Sequence, residues 1–107
     1  MSAEKIRALN DAFRKSMAGG KVFLTAGVDA LPSDVRAMVI RRVATFADFT
    51  ADNDPHQEHD FGSFTLAGHK FFFKLDYYDL AMEFGSEDPA DPSKTTRVLT
   101  IMLAEEY

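Results

Sequence analysis

Cysteine and tryptophan are both absent from this sequence of 107 residues. Without cysteine there are no disulfides, no thiol nucleophiles, no cysteine-ligated zinc and no cysteine-held iron–sulfur clusters, and a reducing compartment is the natural setting. No apolar run reaches the roughly 18 residues that a spanning helix needs, so no membrane is expected as a partner. The stretch 1–15 carries Glu4, Lys5, Arg7, Asp11, Arg14 and Lys15. That leaves no apolar segment for a secretory signal, and a cytoplasmic location is the expectation. Basic residues are the minority, with 12 Lys+Arg against 17 Asp+Glu and a net charge of −5.

Phosphate loops and hydrolase elbows are missing too. Gly19-Gly20-Lys21 invites a phosphate-loop reading, but the pattern needs glycine where Lys15 stands and Ser or Thr where Val22 stands. These glycines also end a helix, where a C-cap explains them. Neither a G-x-S-x-G elbow nor a dinucleotide fingerprint occurs.

What is present is ordinary for a globular chain: 46% apolar residues, 27% charged, and ten phenylalanines. One domain over 1–107 is the expectation at this length. The charge is unevenly placed. Residues 1–50 carry eight Lys/Arg and five Asp/Glu, an excess of three positive charges, whereas residues 51–107 carry four and twelve, an excess of eight negative ones. An acidic second half opposes direct nucleic-acid binding there and suits a basic protein partner, a cation, or mimicry of a phosphate backbone.

Hydrophobic periodicity orders the elements. Ile6, Leu9, Phe13 and Met17 stand at helical spacing, predicting a helix over 3–17. Lys21–Thr25 reads as a strand and Ala26–Leu31 as a connection. Pro32 in a first turn opens a second helix with the stripe Val35, Met38, Val39, Val43 and Phe46. Thr50–His59 is a polar loop. Asp60–Leu66 and His69–Asp79 read as strands around the Ala67-Gly68 turn, Ala81–Phe84 as another short strand, and 85–94 as a second polar loop. For Thr96–Ala104, Asp91-Pro92 favours a helix and the β-branched residues a strand. Strand is preferred, because an open meander would expose an apolar edge. The expected class is therefore α+β, in the order α-β-α-β-β-β-β. Two helices pack on one face of a mostly antiparallel sheet of four to five strands.

Strand parity places Phe71, Phe73, Leu75 and Tyr77 on one face and Lys70, Phe72, Lys74, Asp76 and Tyr78 on the other. That second face is more apolar than a solvated sheet requires, so Phe72, Tyr78 and Asp76 are expected to meet a protein partner or a second copy, unless loops cover them.

Three constellations bear on chemistry. Asp52, Asp54, His56, Glu58, His59 and Asp60 supply nitrogen and oxygen ligands for a divalent metal on one loop. Their spacing fits neither H-E-x-x-H nor a calcium loop, so a solvated loop of turns is the plainer reading. Asp76, Asp79 and Glu83 form a carboxylate set for acid–base work, although Lys70 and Lys74 beside Asp76 point to a surface ion-pair ladder. Arg36, Arg41 and Arg42, with Arg14 and Lys15, make a basic helical face that is most simply solvated. No catalytic residue and no obligatory cofactor follow from these patterns, and a metal-dependent hydrolytic domain on the 52–60 loop is the alternative to a binding module.

Several runs are distinctive as wording: Ile6–Arg14 (IRALNDAFR), Leu24–Val28 (LTAGV), Asn53–Pro55 with Glu58–Gly62 (EHDFG), Lys74–Asp79 (KLDYYD), and Gly85–Pro92 with Arg97–Tyr107 (RVLTIMLAEEY). In these the chain resembles a family of small bacterial proteins, common in alphaproteobacteria and their plasmids, labelled only as a domain of unknown function. The resemblance implies a cytoplasmic single-domain protein, carried as accessory cargo of mobile elements where antirestriction functions also travel. It supplies no catalytic residues. The polar positions most characteristic of it are Glu58, His59, Asp60, Asp76, Tyr77 and Asp79.

Overall fold

The computed structural model describes residues 2–107. Its elements are α1 (Ser2–Ser16), β1 (Lys21–Leu24), α2 (Ala26–Asp29), α3 (Ser33–Thr45), β2 (Phe61–Leu66), β3 (His69–Tyr78) and β4 (Thr96–Leu103), with a closing 3-10 turn at Ala104–Glu106. The α+β class stands as expected from sequence. The sheet has four strands in the order β1-β4-β3-β2. Both β2–β3 and β3–β4 are antiparallel, but β1 runs parallel to β4, so the sheet is mixed.

The tail is a strand, and its place explains its composition. It lies between β1 and β3, and Val98, Leu99, Ile101, Met102 and Leu103 are all buried. β-branched residues suit such a doubly paired position.

Ala81–Phe84 is not a strand. Asp79 to Phe84 forms a turn in which the Asp79 N–H donates to the Phe84 carbonyl at 2.8 Å and Asp79 Oδ1 accepts the Glu83 N–H at 3.0 Å. Only Tyr78 and Gly85 bridge across its base. The reason is competition: the Asp79 side chain closes a local turn before a strand partner can be found. Leu80 and Phe84 are left exposed on it. A second departure is α2, a single helical turn within the predicted connection, closed by Ala30 N–H donating to Ala26 O at 3.0 Å.

The helices share one face of the sheet. Phe13 of α1, Val28 of α2, and Val39 and Val43 of α3 pack on Phe64, Phe71, Phe73, Leu75, Leu99, Ile101 and Leu103. Burying a Phe or Leu side chain is worth about 1.5–3 kcal/mol, so this cluster dominates the packing. In the α3 stripe Val39 and Val43 are fully buried but Met38 is half exposed. The opposite face carries Phe23, Phe61, Phe72, Lys74, Asp76, Tyr78, Thr100 and Met102, as the register requires.

Two buried residues of α1 are polar: Asn10 and Arg14. They stand on the same helical face as Ile6 and Phe13, so the stripe is apolar only in part. Arg14 is therefore not part of a solvated basic face. Its stem and guanidinium lie over the Phe49 and Phe73 rings, a good environment for a weakly hydrated planar cation.

Candidate functional site

The 50–60 loop folds through side-chain-to-backbone bonds. Asn53 Oδ1 accepts the Thr50 N–H at 2.8 Å, Thr50 Oγ1 accepts the Asn53 N–H at 3.3 Å, and the Asp54 N–H donates to Thr50 O at 2.8 Å. Gln57 and His59 both take left-handed backbone angles, φ 58° and 55°. For residues with a Cβ this is uncommon and requires compensation from the surroundings.

At His59 the compensation is visible. Its N–H donates to Oδ1 of the buried Asp54 at 3.0 Å, and its ring stacks on Phe49 with centroids 3.9 Å apart. Nδ1 sits 2.9 Å from Asp11 Oδ1, and Nε2 lies 3.7 Å from Asp54 Oδ2. The same Asp11 oxygen accepts from Arg14 Nη2 at 2.8 Å. Arg14 Nη1 also donates to the Val43 and Phe46 carbonyls at 2.8 and 3.0 Å, closing the end of α3. Asp11 and Arg14 together thus link α1, the end of α3 and the loop.

A shallow pocket of about 290 Å³ opens beside His59, lined also by Arg7, Phe49, Thr50, Asp54 and Gln57. Both ring nitrogens of His59 thus face carboxylates, Nδ1 that of Asp11 and Nε2 that of Asp54. The one hydroxyl in the lining, Thr50, accepts the Asn53 N–H at 3.3 Å.

A second array continues this one into the sheet. Tyr77 Oη donates to Glu58 Oε1 at 2.8 Å and accepts from Asn10 Nδ2 at 2.8 Å. Asn10 also donates to the Glu58 carbonyl, and its Oδ1 accepts from Arg97 Nε. Arg97 lies over the Tyr77 ring and donates to Pro89 O. Burial raises the Tyr77 phenol well above its ordinary range, reinforced by the Glu58 carboxylate, while the Asn10 bond opposes. Burial likewise raises the Asp60 carboxyl, with Glu58 and Asp54 adding to it. Both arrays hold the loop against α1 and β3.

The family described as "Protein of unknown function (DUF3768)" matches residues 24–106. The chain belongs to that family. No curated protein matches it, and no solved structure does. The DUF3768 match spans the 50–60 loop, Tyr77 and Arg97. Asn10, Asp11 and Arg14 lie outside it, so α1 contributes half of the loop's anchors from beyond the matched segment.

Within this DUF3768 chain, the proposed metal residues are not gathered. Asp54 and His59 meet, but Glu58 turns to Tyr77, and His56 and Asp52 are exposed. Among the described residues no three His, Asp or Glu side chains form a group able to hold a metal ion. The left-handed turns at Gln57 and His59 send successive side chains to different partners. Asp76 pairs with Lys74 at 3.3 Å, the ion-pair reading, while Asp79 closes its own turn. Phe72 packs against Phe61 and Tyr107, with centroids at 5.2 and 5.4 Å.

Asn10, Asp11 and Arg97 carry no site reading from sequence, and Arg14 only that of a basic helical face. A signal existed for two of them: Asn10 and Arg14 follow Ile6 at intervals of four, along the buried side of the helix beside Phe13, where a polar residue needs a buried partner. Nothing local marks Arg97.

Proposed function

We propose that the chain is a non-catalytic protein-binding or regulatory module that docks a partner protein on the sheet face opposite its helices. The observation that carries this reading is the aromatic cluster of Phe61, Phe72 and Tyr107 on that face, with ring centroids 5.2–6.1 Å apart. Tyr107 is 76% exposed, Phe61 on the edge strand β2 and Phe72 on β3 are half-buried against it, and Phe23 is 50% exposed on the opposite edge strand β1. Clustered aromatics on a rigid sheet form the kind of anchor that interfaces use. Lys21, Lys70 and Lys74 share this face, with Asp76 and Tyr78 among them, which favours a partner whose apolar patch has an acidic rim.

The carboxylates of the acidic half support recognition on this face over phosphate mimicry. Glu58, Asp79, Asp88, Asp91 and Glu106 all accept hydrogen bonds from within the chain. They are committed to turns and to the loop. Metal-dependent hydrolysis, the alternative, draws no support from the scattered placement of Asp54, His56, Glu58, His59 and Asp60.

The test is crosslinking-coupled capture with the full chain and with the Phe23→Asp and Phe72→Ser variants. A partner held by the native protein and lost by both folded variants supports the reading. Identical partner sets for all three overturn it.

A further inference from the structure

The edge strand β2 has a different character from the face. Its sequence, Phe61–Leu66 (FGSFTL), has no charge and no proline. Natural sheets guard free edges with lysine, proline, bulges or very short strands. The other edge is guarded in this way: β1 has four residues, begins at Lys21, and runs parallel to its neighbour. β2 has six residues and none of these devices.

The hairpin geometry says which backbone groups of β2 face outward. Ala67 and Gly68 both have positive φ, 52° and 80°, so the two-residue turn is closed by the hydrogen-bonded pair Leu66 and His69. Alternation then makes Phe64–Phe71 and Gly62–Phe73 bonded pairs as well. The Leu75 N–H donating to Asp60 O at 2.8 Å continues the same phase. The N–H and C=O groups of Phe61, Ser63 and Thr65 therefore point away from β3. Ser63 and Thr65 are exposed.

From this we infer that β2 pairs antiparallel with β2 of a second copy of the chain, about a two-fold axis at Ser63, joining the two sheets. The strand is self-complementary in that register. Phe61 meets Thr65 of the second copy, Ser63 meets Ser63, and every outward donor finds an acceptor. On the helix side Gly62 lies opposite Phe64 of the second copy. Gly62 leaves room for the Phe73 and Phe46 rings, which a Cβ there would press upon, and an aromatic across the strand covers such an edge glycine. Charge agrees. Arg42 lies over the Phe64 ring, and Asp60 of the second copy, two residues before its Gly62, falls on that same helix side. A second copy satisfies backbone, shape and charge together, and the joined sheet carries both Phe61–Phe72–Tyr107 clusters on one face.

This pairing is independent of the partner-docking reading. Sedimentation of the full chain across a concentration series is expected to show a reversible monomer–dimer equilibrium. Ser63→Lys places like charges directly opposite at the axis, and Ser63→Pro removes the outward N–H there while remaining compatible with an edge strand. Each is expected to raise the dimer Kd about tenfold or more with native circular dichroism. Phe23→Asp, on the far side of the sheet, is expected to leave the dimer intact. Amide exchange at Ser63 and Thr65 should slow as concentration rises. A monomer at every concentration, or a dimer indifferent to both Ser63 variants, overturns the inference. Loss of partner capture by Phe23→Asp with the dimer retained concerns only the docking face.

Discussion

Arg97 Nε donates to Asn10 Oδ1 at 2.8 Å, joining β4 to α1 across 87 residues of chain. Asn10 is fully buried, and its amide nitrogen also serves the Tyr77 hydroxyl and the Glu58 carbonyl. One side chain therefore satisfies groups from β3, β4 and the 50–60 loop. Asn10→Leu keeps most of the volume but strands a buried guanidinium N–H, and orphaned buried groups cost their full desolvation. The expected loss is about 2–4 kcal/mol, read by urea unfolding as a lower midpoint at unchanged slope. A loss under about 0.5 kcal/mol, the level of an ordinary surface change, would show that water replaces the amide.

Arg14 invites a conservative exchange that should fail. Its guanidinium serves Asp11 and the Val43 and Phe46 carbonyls at once while lying over two phenyl rings. A lysine ammonium has no planar fork to reproduce these bonds. Arg14→Lys is expected to cost about 1–3 kcal/mol. Combined with Asp11→Asn, the two losses should sum to less than additively, because both remove the same bond. Additive losses in the double-mutant cycle would argue that the pair is not coupled.

The layers of this fold were legible where periodicity was strong: α1, α3, the β2–β3 hairpin and β4 stand close to where Ile6/Phe13, Val39/Val43, the Phe71–Leu75 alternation and the Val98–Leu103 run place them. The parallel pairing of β1 was not legible, because four residues of strand carry no directional signal. The anchors of the loop were hidden for another reason. His59 was noticed as a possible metal ligand, but its partner Asp11 lies 48 residues away on a helix. Long-range polar pairing has no local spacing, so sequence revealed the loop's half of the site and not the half on α1.

The pH dependence should carry two opposed signatures. Burial first, and nearby Glu58 and Asp54 next, raise the Asp60 carboxyl above its ordinary value. A raised carboxyl stabilises the fold below its unfolded pKa, and this contribution is lost as pH rises through the folded one. Asp60→Asn, measured in dilute protein, should therefore gain stability at pH 7 and lose that advantage near pH 3. Glu106 is the reverse: bonds from Thr25 first, then the Leu103 and Gly27 N–H groups, hold its carboxyl below the usual range. Glu106→Gln should weaken the fold at pH 7 and converge with the native protein in acid. Parallel melting curves for both variants at each pH would contradict the assigned causes.

Three glycines separate steric from conformational demand. A Cβ at Gly20 would stand 2.5 Å from the Arg97 carbonyl oxygen, which belongs to the central strand β4. One at Gly62 would strike the Phe73 and Phe46 rings, which are side chains able to shift. Gly68 has open space around it, but its φ is +80°. Overpacking a core costs about 1–3 kcal/mol, and a strained left-handed residue about 1 kcal/mol. Thermal unfolding of the three alanine variants should thus rank Gly20→Ala as the most damaging, Gly62→Ala next, and Gly68→Ala least. If Gly62→Ala proved worse than Gly20→Ala, the Phe46–Phe73 packing would be the more rigid contact, and the sheet would be yielding at β4 instead.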